Sequence, residues 1–414
     1  MKRTLLFIFL PFILVYCSDN KTAEKYPVID VVGSVENYQR VYCSDYFSSI
    51  ELIPLETRDD YLLDVVPAKI RDGFIFMHGN NQLYVFDSFG KFLNKIGARG
   101  QGPGEYMYAT KYFFNTDKDV IYIEDLSKIL EYDFKGNYIQ TIQVAKFEDI
   151  TVTDYSYVGN GLFVGQLINL GKNKYKYCLF DSNGDIINCF PNYIFFNKEG
   201  GGIATFHYSL TPIRVDNKLY LKDFVNDTLY IVENLSLLPA YVFRFGDYSF
   251  PKENLGFNGS KIFSRNSFVL GTGSGIVGTP KFFFYSIHVP DLFSKPKAKP
   301  RFNPFVNEFR PDDANVYGIY NIAENTNILL DTDEHNKKGI INDINGGLPF
   351  IPRYYAGDGV VVDVWNAEDM KGVLTEEYFV SQTIKDQQAH QKLKEILKNL
   401  KDDDNPVVVV AKLK

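Results

Sequence analysis

Two glycine-rich stretches have the composition of nucleotide-binding loops. In GTGSGIVG (271–278), Gly273, Gly275 and Gly278 match G-x-G-x-x-G. That spacing lets backbone amides approach a pyrophosphate, but only between a strand and the N-terminus of a helix. Here the aromatic run PKFFFYSI follows, which is a strand pattern, so a loop between strands is expected. In KIGARGQGPGEY (95–106), four glycines and Pro103 surround Arg99, Gln101 and Glu105. The phosphate-cradling pattern G-x-x-x-x-G-K-S/T is absent. The glycines allow a sharp path with unusual φ. Arg99, Gln101 and Glu105 are ligand-binding candidates, although their first expected role is to pair with one another or with a neighbouring sheet.

Metal chemistry is equally hard to place. DSNGD (181–185) begins like a calcium loop, but Ile186 stands where glycine is needed and Asn192 where glutamate is needed. DTDEH (331–335) fails similarly, with His335 at a ligand position and no glycine after it. The five histidines, His78, His207, His288, His335 and His390, form neither HxH nor HExxH. No CxxC occurs, and no G-x-S-x-G motif is present. Neither a metal nor a cofactor is read from these residues. His78, His207 and His288 each lie near an expected strand, so a metal-dependent lyase or hydrolase with an axially assembled site is the alternative reading.

The elements that must carry these residues are β-strands. The chain has 414 residues, with 35 Phe and 29 Tyr, a bias towards pleated, packed surfaces. Its net charge of −7 opposes a nucleic-acid partner, which needs a basic face. At the start, Lys2 and Arg3 precede an apolar run, 5–15, too short to span a membrane as a helix. The run ends in LVYC, and Cys17 resembles the lipid-bearing cysteine of a bacterial lipobox, with Tyr16 where that motif has a small residue. Residues 1–17 are thus expected to be a signal peptide and 18–44 a tether and lead-in. A single domain is expected over 45–414. Cys43, Cys178 and Cys189 are expected to be free thiols. Cys178 and Cys189 flank the turn at 181–184; a two-residue turn would set Cys178 opposite Ile187, so a bridge would need a bulge.

Internal similarity defines the domain. VFDSFGKFLNKI (85–96), EYDFKGNYIQTI (131–142) and LFDSNGDIINCF (179–190) share one pattern, with Asp87, Asp133 and Asp181 recurring about every 47 residues, the length of a propeller blade. In each copy, Asp caps the turn and Gly takes positive φ between two strands. Downstream, KLYLKD (218–223), DTLYIV (227–232) and AYVFRFGDY (240–248) read as inner, middle and outer strands of a further blade, and KFFFYS (281–286), NILLDTD (327–333) and GVVVDVW (359–365) belong to the last two. SSIELIPLE (48–56) and NPVVVVAKLK (405–414) are expected to share one blade and close the ring, because an open ring leaves two unpaired edges. Residues 381–400 have helical apolar spacing. The expected fold is all-β, a six-bladed β-propeller with one short C-terminal helix outside.

GQGPGEY followed by a strand and YIEDLSKILEYDFKGNYIQTI resembles the NHL-type propeller repeat. With IELIPLE, DTLYIV, INDINGGLPFIPRY and DDDNPVVVVAKLK, the chain resembles exported six-bladed β-propeller lipoproteins of Gram-negative gut anaerobes. The resemblance implies a fold and an export route, not a reaction. It also makes DTL (227–229) similar to an O-glycosylation acceptor, with Thr228 as the modified residue.

Aromatic and arginine residues near loops complete the candidates: Arg353 and Tyr354 in LPFIPRYY, and Trp365, the only tryptophan. Such side chains supply large contact area and directional donors. The expected role is a monomeric, non-enzymatic binding or scaffold module for an envelope glycan, peptide or protein partner, held at the outer membrane or in the periplasm through a lipid on Cys17.

Overall fold

A computed structural model describes residues 25–414, apart from 64–65, 108, 110, 126–127, 145–151, 168–170, 198–210, 223–225, 252–265, 271–274, 299–300, 304–307 and 311–314. Cys17, His207 and Gly273 lie outside the described residues.

Six antiparallel sheets form a ring, the six-bladed β-propeller expected from the repeat. Blade 1 runs outward through Lys69–Arg71, Phe74–Gly79, Gln82–Phe86 and Phe92–Ile96. Blade 2 comprises Lys111–Phe114, Val120–Asp125, Lys128–Asp133 and Tyr138–Gln143, and blade 3 comprises Val152–Gly159, Leu162–Leu167, Tyr175–Asp181 and Ile186–Pro191. The middle strands Val120–Asp125 and Lys128–Asp133 are mostly buried on both faces, whereas the outer strand Tyr138–Gln143 is mostly exposed.

Blade 4 corrects one expectation. Lys218–Lys222 is its second strand; Thr211–Val215 is the inner one, followed outward by Thr228–Glu233 and Ser236–Arg244. The proline of Thr-Pro-Ile-Arg-Val disguised the inner strand, yet an edge position tolerates a missing donor. Val28–Asp30 adds a parallel fifth strand outside Val242–Arg244. Blade 5 uses Ile276–Gly278, Phe282–His288, Asn315–Asn321 and Thr326–Leu329.

Blade 6 closes the ring. Its strands Tyr354–Gly357, Val360–Trp365 and Val407–Leu413 come from the C-terminal part, and its outermost strand, Phe47–Pro54, comes from the N-terminal part. Between its second and third strands lie helices Ala367–Val373, Glu376–Val380 and Gln387–Asn399, capped by Asn366, Thr375 and Asp386. The third is the helix expected from spacing; the other two are too short to show a period.

The core is a ring of interfaces. Ile75, Met77 and Phe86 pack on Val362, Val364 and Val408 between blades 1 and 6, and Phe76, Leu83 and Val85 pack on Tyr112, Ile121 and Leu130 between blades 1 and 2. The other interfaces repeat this. The Asp-Gly turns serve the interfaces too. Asp87 accepts hydrogen bonds from the amides of Phe89 and Lys91, Asp133 from Lys135 and Asn137, and Asp181 from Asn183 and Asp185. Gly90 and Gly136 have φ of 83° and 87°, and each approaches a carbonyl on the outer strand of the preceding blade, Pro54 and Lys95 respectively.

The turn at 181–185 also resets the cysteine register. A three-residue turn that pairs Asp181 with Asp185, and a bulge between Leu179 and Phe180, each shift the register by one residue and together set Cys178 directly opposite Cys189 rather than opposite Ile187. Both thiols are free.

Candidate functional site

Between blades 5 and 6 lies a cavity of about 220 Å³, lined by Phe284, Ser286, Tyr317, Phe350, Ile351 and Arg353 among others. The polar group at its wall is fixed in place from below. Arg353 immediately precedes the inner strand of blade 6, and its amide bonds to the Val362 carbonyl at 2.9 Å. Its side chain turns onto the neighbouring strand, where Nε donates to Asp363 Oδ1 at 2.7 Å. Asp363 is fully buried and also accepts from the amides of Ile351 and Val364 and from Trp365 Nε1. Burial pushes the Asp363 carboxyl upward, while Arg353 and the amide donors pull it down. A buried carboxylate needs this number of donors. Because Arg353 spends Nε on Asp363, its two terminal nitrogens remain for a molecule in the cavity.

Trp365 is thereby placed in the core. Its indole bonds to Asp363 at 3.1 Å and packs so closely on Gly347 that a Cβ there would lie 2.7 Å from the ring. Its part in the site is to hold the carboxylate that holds Arg353. Tyr354, next in sequence, faces another way, sharing its surroundings with Arg71 and Arg214 of blades 1 and 4; burial pushes its hydroxyl up to about 12.

The stretch 95–106 stands apart from this cavity. Within it, Ala98–Arg99 and Glu105–Tyr106 pair as short parallel strands. The Glu105 carboxylate accepts from the Gly102 amide at 2.8 Å, and the Glu105 carbonyl accepts from Lys128 Nζ at 2.9 Å. The Gly104 carbonyl accepts from the Tyr132 hydroxyl, and Gly104 itself packs on the Tyr138 ring. The loop therefore rests over the third and outer strands of blade 2, with Arg99 and Gln101 exposed on it. Thr228 opens the third strand of blade 4, its amide bonded to Asn226 Oδ1 at 3.0 Å.

His78 and His288 lie on the second strands of blades 1 and 5 and do not share a site. Among the described residues, no three His, Cys, Asp or Glu side chains are grouped to hold a metal ion. Gly278 is part of an inner strand that leads into another strand, not a helix. Asp333 uses its carboxylate to close a turn, accepting from the amides of His335 and Lys337.

Sequence reading passed over Ser286 and Tyr317, which lay inside ordinary strand patterns. It also passed over Lys69, Arg71 and Arg214, although charges inside short strands bounded by Pro or Asp-Gly were a usable signal.

Among solved structures, the fold is similar to that of a Bacteroides fragilis protein assigned to the exported class, with a TM-score of 0.62 at 16% identity over 94% of this chain and 99% of that one. A DUF4221-family protein of Bacteroides vulgatus gives a TM-score of 0.48 at 11% identity over 89% and 97%. At 16% identity the first likeness is one of fold. No curated protein matches the sequence. Residues 26–412 match the family described as a domain of unknown function, DUF4934, and the chain belongs to that family.

Proposed function

We propose that this protein is an exported, non-enzymatic binding module whose ligand seats in the cavity between blades 5 and 6. The observation that carries this reading is Arg353: a guanidinium anchored through one nitrogen by buried Asp363, lining a cavity walled by Phe284, Tyr317 and Phe350. Preorganised donors beside flat apolar faces are the usual composition of a recognition site. At about 220 Å³ the cavity is smaller than those that enclose a whole small ligand, roughly 300–1,000 Å³. It suits one sugar unit or one side chain, the anchoring part of a larger glycan, peptide or protein partner. The terminal nitrogens of Arg353 favour an anchor bearing paired oxygens.

The test is a glycan array and a pull-down from envelope extract, each run with wild type and Asn315→Trp. Asn315 is an exposed residue of the cavity lining, so the bulky side chain blocks the cavity without disturbing Asp363. Loss of the specific hits supports the site; hits that the variant retains in full place the binding surface elsewhere.

Export and anchoring rest on the N-terminal sequence. The segment 1–17 carries the export signal and Cys17 the lipid. Cys17→Ala is expected to release the protein from membrane fractions, and unchanged fractionation would reject the anchor. Among the described residues, no helix is long and apolar enough to cross a membrane.

A further inference from the structure

We propose that the axis of the ring is a second binding site, which takes an oxyanion group, a carboxylate or a sulfate, between Lys69, Arg71 and Arg214. The three cations stand on the inner strands of blades 1 and 4. The inner strand of blade 6 lies beside both of those strands and brings Tyr354 into the electrostatic reach of Arg71 and Arg214. Tyr355 spans from blade 6 to blade 4, its hydroxyl donating to Asp216 Oδ1 at 3.1 Å, so these inner strands meet directly across the ring.

Each cation uses only part of its donor set on protein. Lys69 donates to the Tyr112 carbonyl and lies 4.1 Å from the centre of the Tyr112 ring. Arg71 uses Nε on Asp72 Oδ2 at 2.9 Å. Arg214 uses Nη2 on the Tyr157 carbonyl, while Nη1 is buried with no hydrogen-bond partner. A buried, unsatisfied guanidinium donor is costly, and an oxyanion would offset that cost with charge-assisted bonds.

The charge balance at the axis agrees. The acidic groups nearby are committed: Asp72 to Arg71, and Asp117 to the Tyr157 hydroxyl at 2.6 Å and the Asn160 amide at 2.8 Å. Neither Lys69 nor Arg214 has a carboxylate in a salt bridge among the described residues. Burial pulls the Lys69 ammonium down to about 8 and the Arg214 guanidinium down to about 10, as expected for cations that lack a counter-ion. Lys69, Arg71 and Arg214 all keep partial exposure. Tyr112 and Tyr354 add flat faces beside the charges, which fits an acidic sugar better than a bare ion. The competing role for these side chains is to stitch neighbouring blades, which the Lys69 and Arg214 carbonyl bonds already do.

Isothermal titration at low ionic strength separates the two roles, with sodium sulfate and sodium D-glucuronate as probes and sodium chloride as the screening control. The expected result is saturable binding of one equivalent of either probe. Arg214→Gln and Lys69→Gln should each weaken it about tenfold or more, the loss of one charge-assisted contact. Because Arg214 also bonds Tyr157, Arg71→Gln provides a second variant at a more exposed position, and a circular-dichroism melt identifies the folded variants used. Absence of saturable binding of both probes to wild type would overturn the proposal. So would binding that Arg71→Gln and any folded Arg214 or Lys69 variant leave unchanged, because a purely structural stitch has no ligand to lose.

Discussion

Four glycines with nearly the same φ but different surroundings allow the cost of backbone conformation to be separated from the cost of close approach. Gly73, Gly90, Gly136 and Gly184 have φ of 79°, 83°, 87° and 85°. A Cβ on Gly73 would meet nothing within 4 Å; on Gly184 it would lie 3.3 Å from the Gln143 carbonyl oxygen; on Gly90 and Gly136 it would lie 2.2 Å from the Pro54 and Lys95 oxygens. All four alanine variants carry the left-handed strain, about 1–2 kcal/mol, partly offset by the stiffer unfolded chain, roughly 0.4–1 kcal/mol. Gly73→Ala should therefore cost about 1 kcal/mol or less. Gly90→Ala and Gly136→Ala must also push one blade off the next, adding roughly 1–3 kcal/mol as in overpacked interiors. Gly184→Ala should fall between. Urea denaturation followed by circular dichroism measures the series, provided the slope is unchanged between variants. Equal costs for Gly73→Ala and Gly90→Ala, within about 0.5 kcal/mol, would refute the claim that the turn glycines set the distance between blades.

Three further outcomes follow from the ring and its strap. Arg244 holds the Asp30 carboxyl below its usual value of 3.8 through bonds of 3.0 and 2.6 Å. A depressed acid contributes stability above its unfolded pKa and loses it as pH falls through the folded value. The hydrogen-exchange protection of Val28–Asp30, taken relative to the intrinsic amide rate at each pH, should accordingly fall on acidification below 3.8, and Asp30→Asn should lower it at neutral pH; protection insensitive to both would reject the ion pair as the anchor. Cys178 and Cys189 face each other directly, at a cross-strand spacing that a disulfide can span. Oxidised glutathione should convert the two thiols to a bridge, itself becoming two reduced thiols, and intact mass should show loss of two hydrogens; two thiols that stay alkylatable would contradict the register. Deleting 407–414 removes the strand that joins Phe47–Pro54 to Val360–Trp365, and should abolish cooperative unfolding; a sharp transition in the truncated chain would show that closure is dispensable.

The repeat was legible where its turns were stereotyped. In blades 1–3 the turn before the outer strand is Asp-x-x-Gly, and the same hydrogen bonds recur at Asp87, Asp133 and Asp181. In blade 4 the same turn is the pair Asn234-Leu235, both at positive φ, and in blade 5 Asn321 caps it with Asn325 at positive φ. Different side chains solve the same backbone problem there, so the period vanished while the strands persisted. The cysteine register departs from the expected one by two residues because the turn holds three residues rather than two and a bulge inserts one more, and bulges carry no dependable side-chain signature.

By itself the sequence determined the strand pattern, the blade length, the closing partnership of 48–56 with 405–414 and the C-terminal helix, all features set by local periodicity, turn chemistry and the need to leave no open edge. Tertiary structure alone decided which candidates meet. Arg353 and Trp365, twelve residues apart, are joined by Asp363, whereas Arg99 and Gln101 rest on the outer half of blade 2. Lys69, Arg71, Arg214 and Tyr354 come from three blades and share the axis. In a ring, each inner strand meets partners far away in the chain, and no local spacing records which side chains the closure brings together.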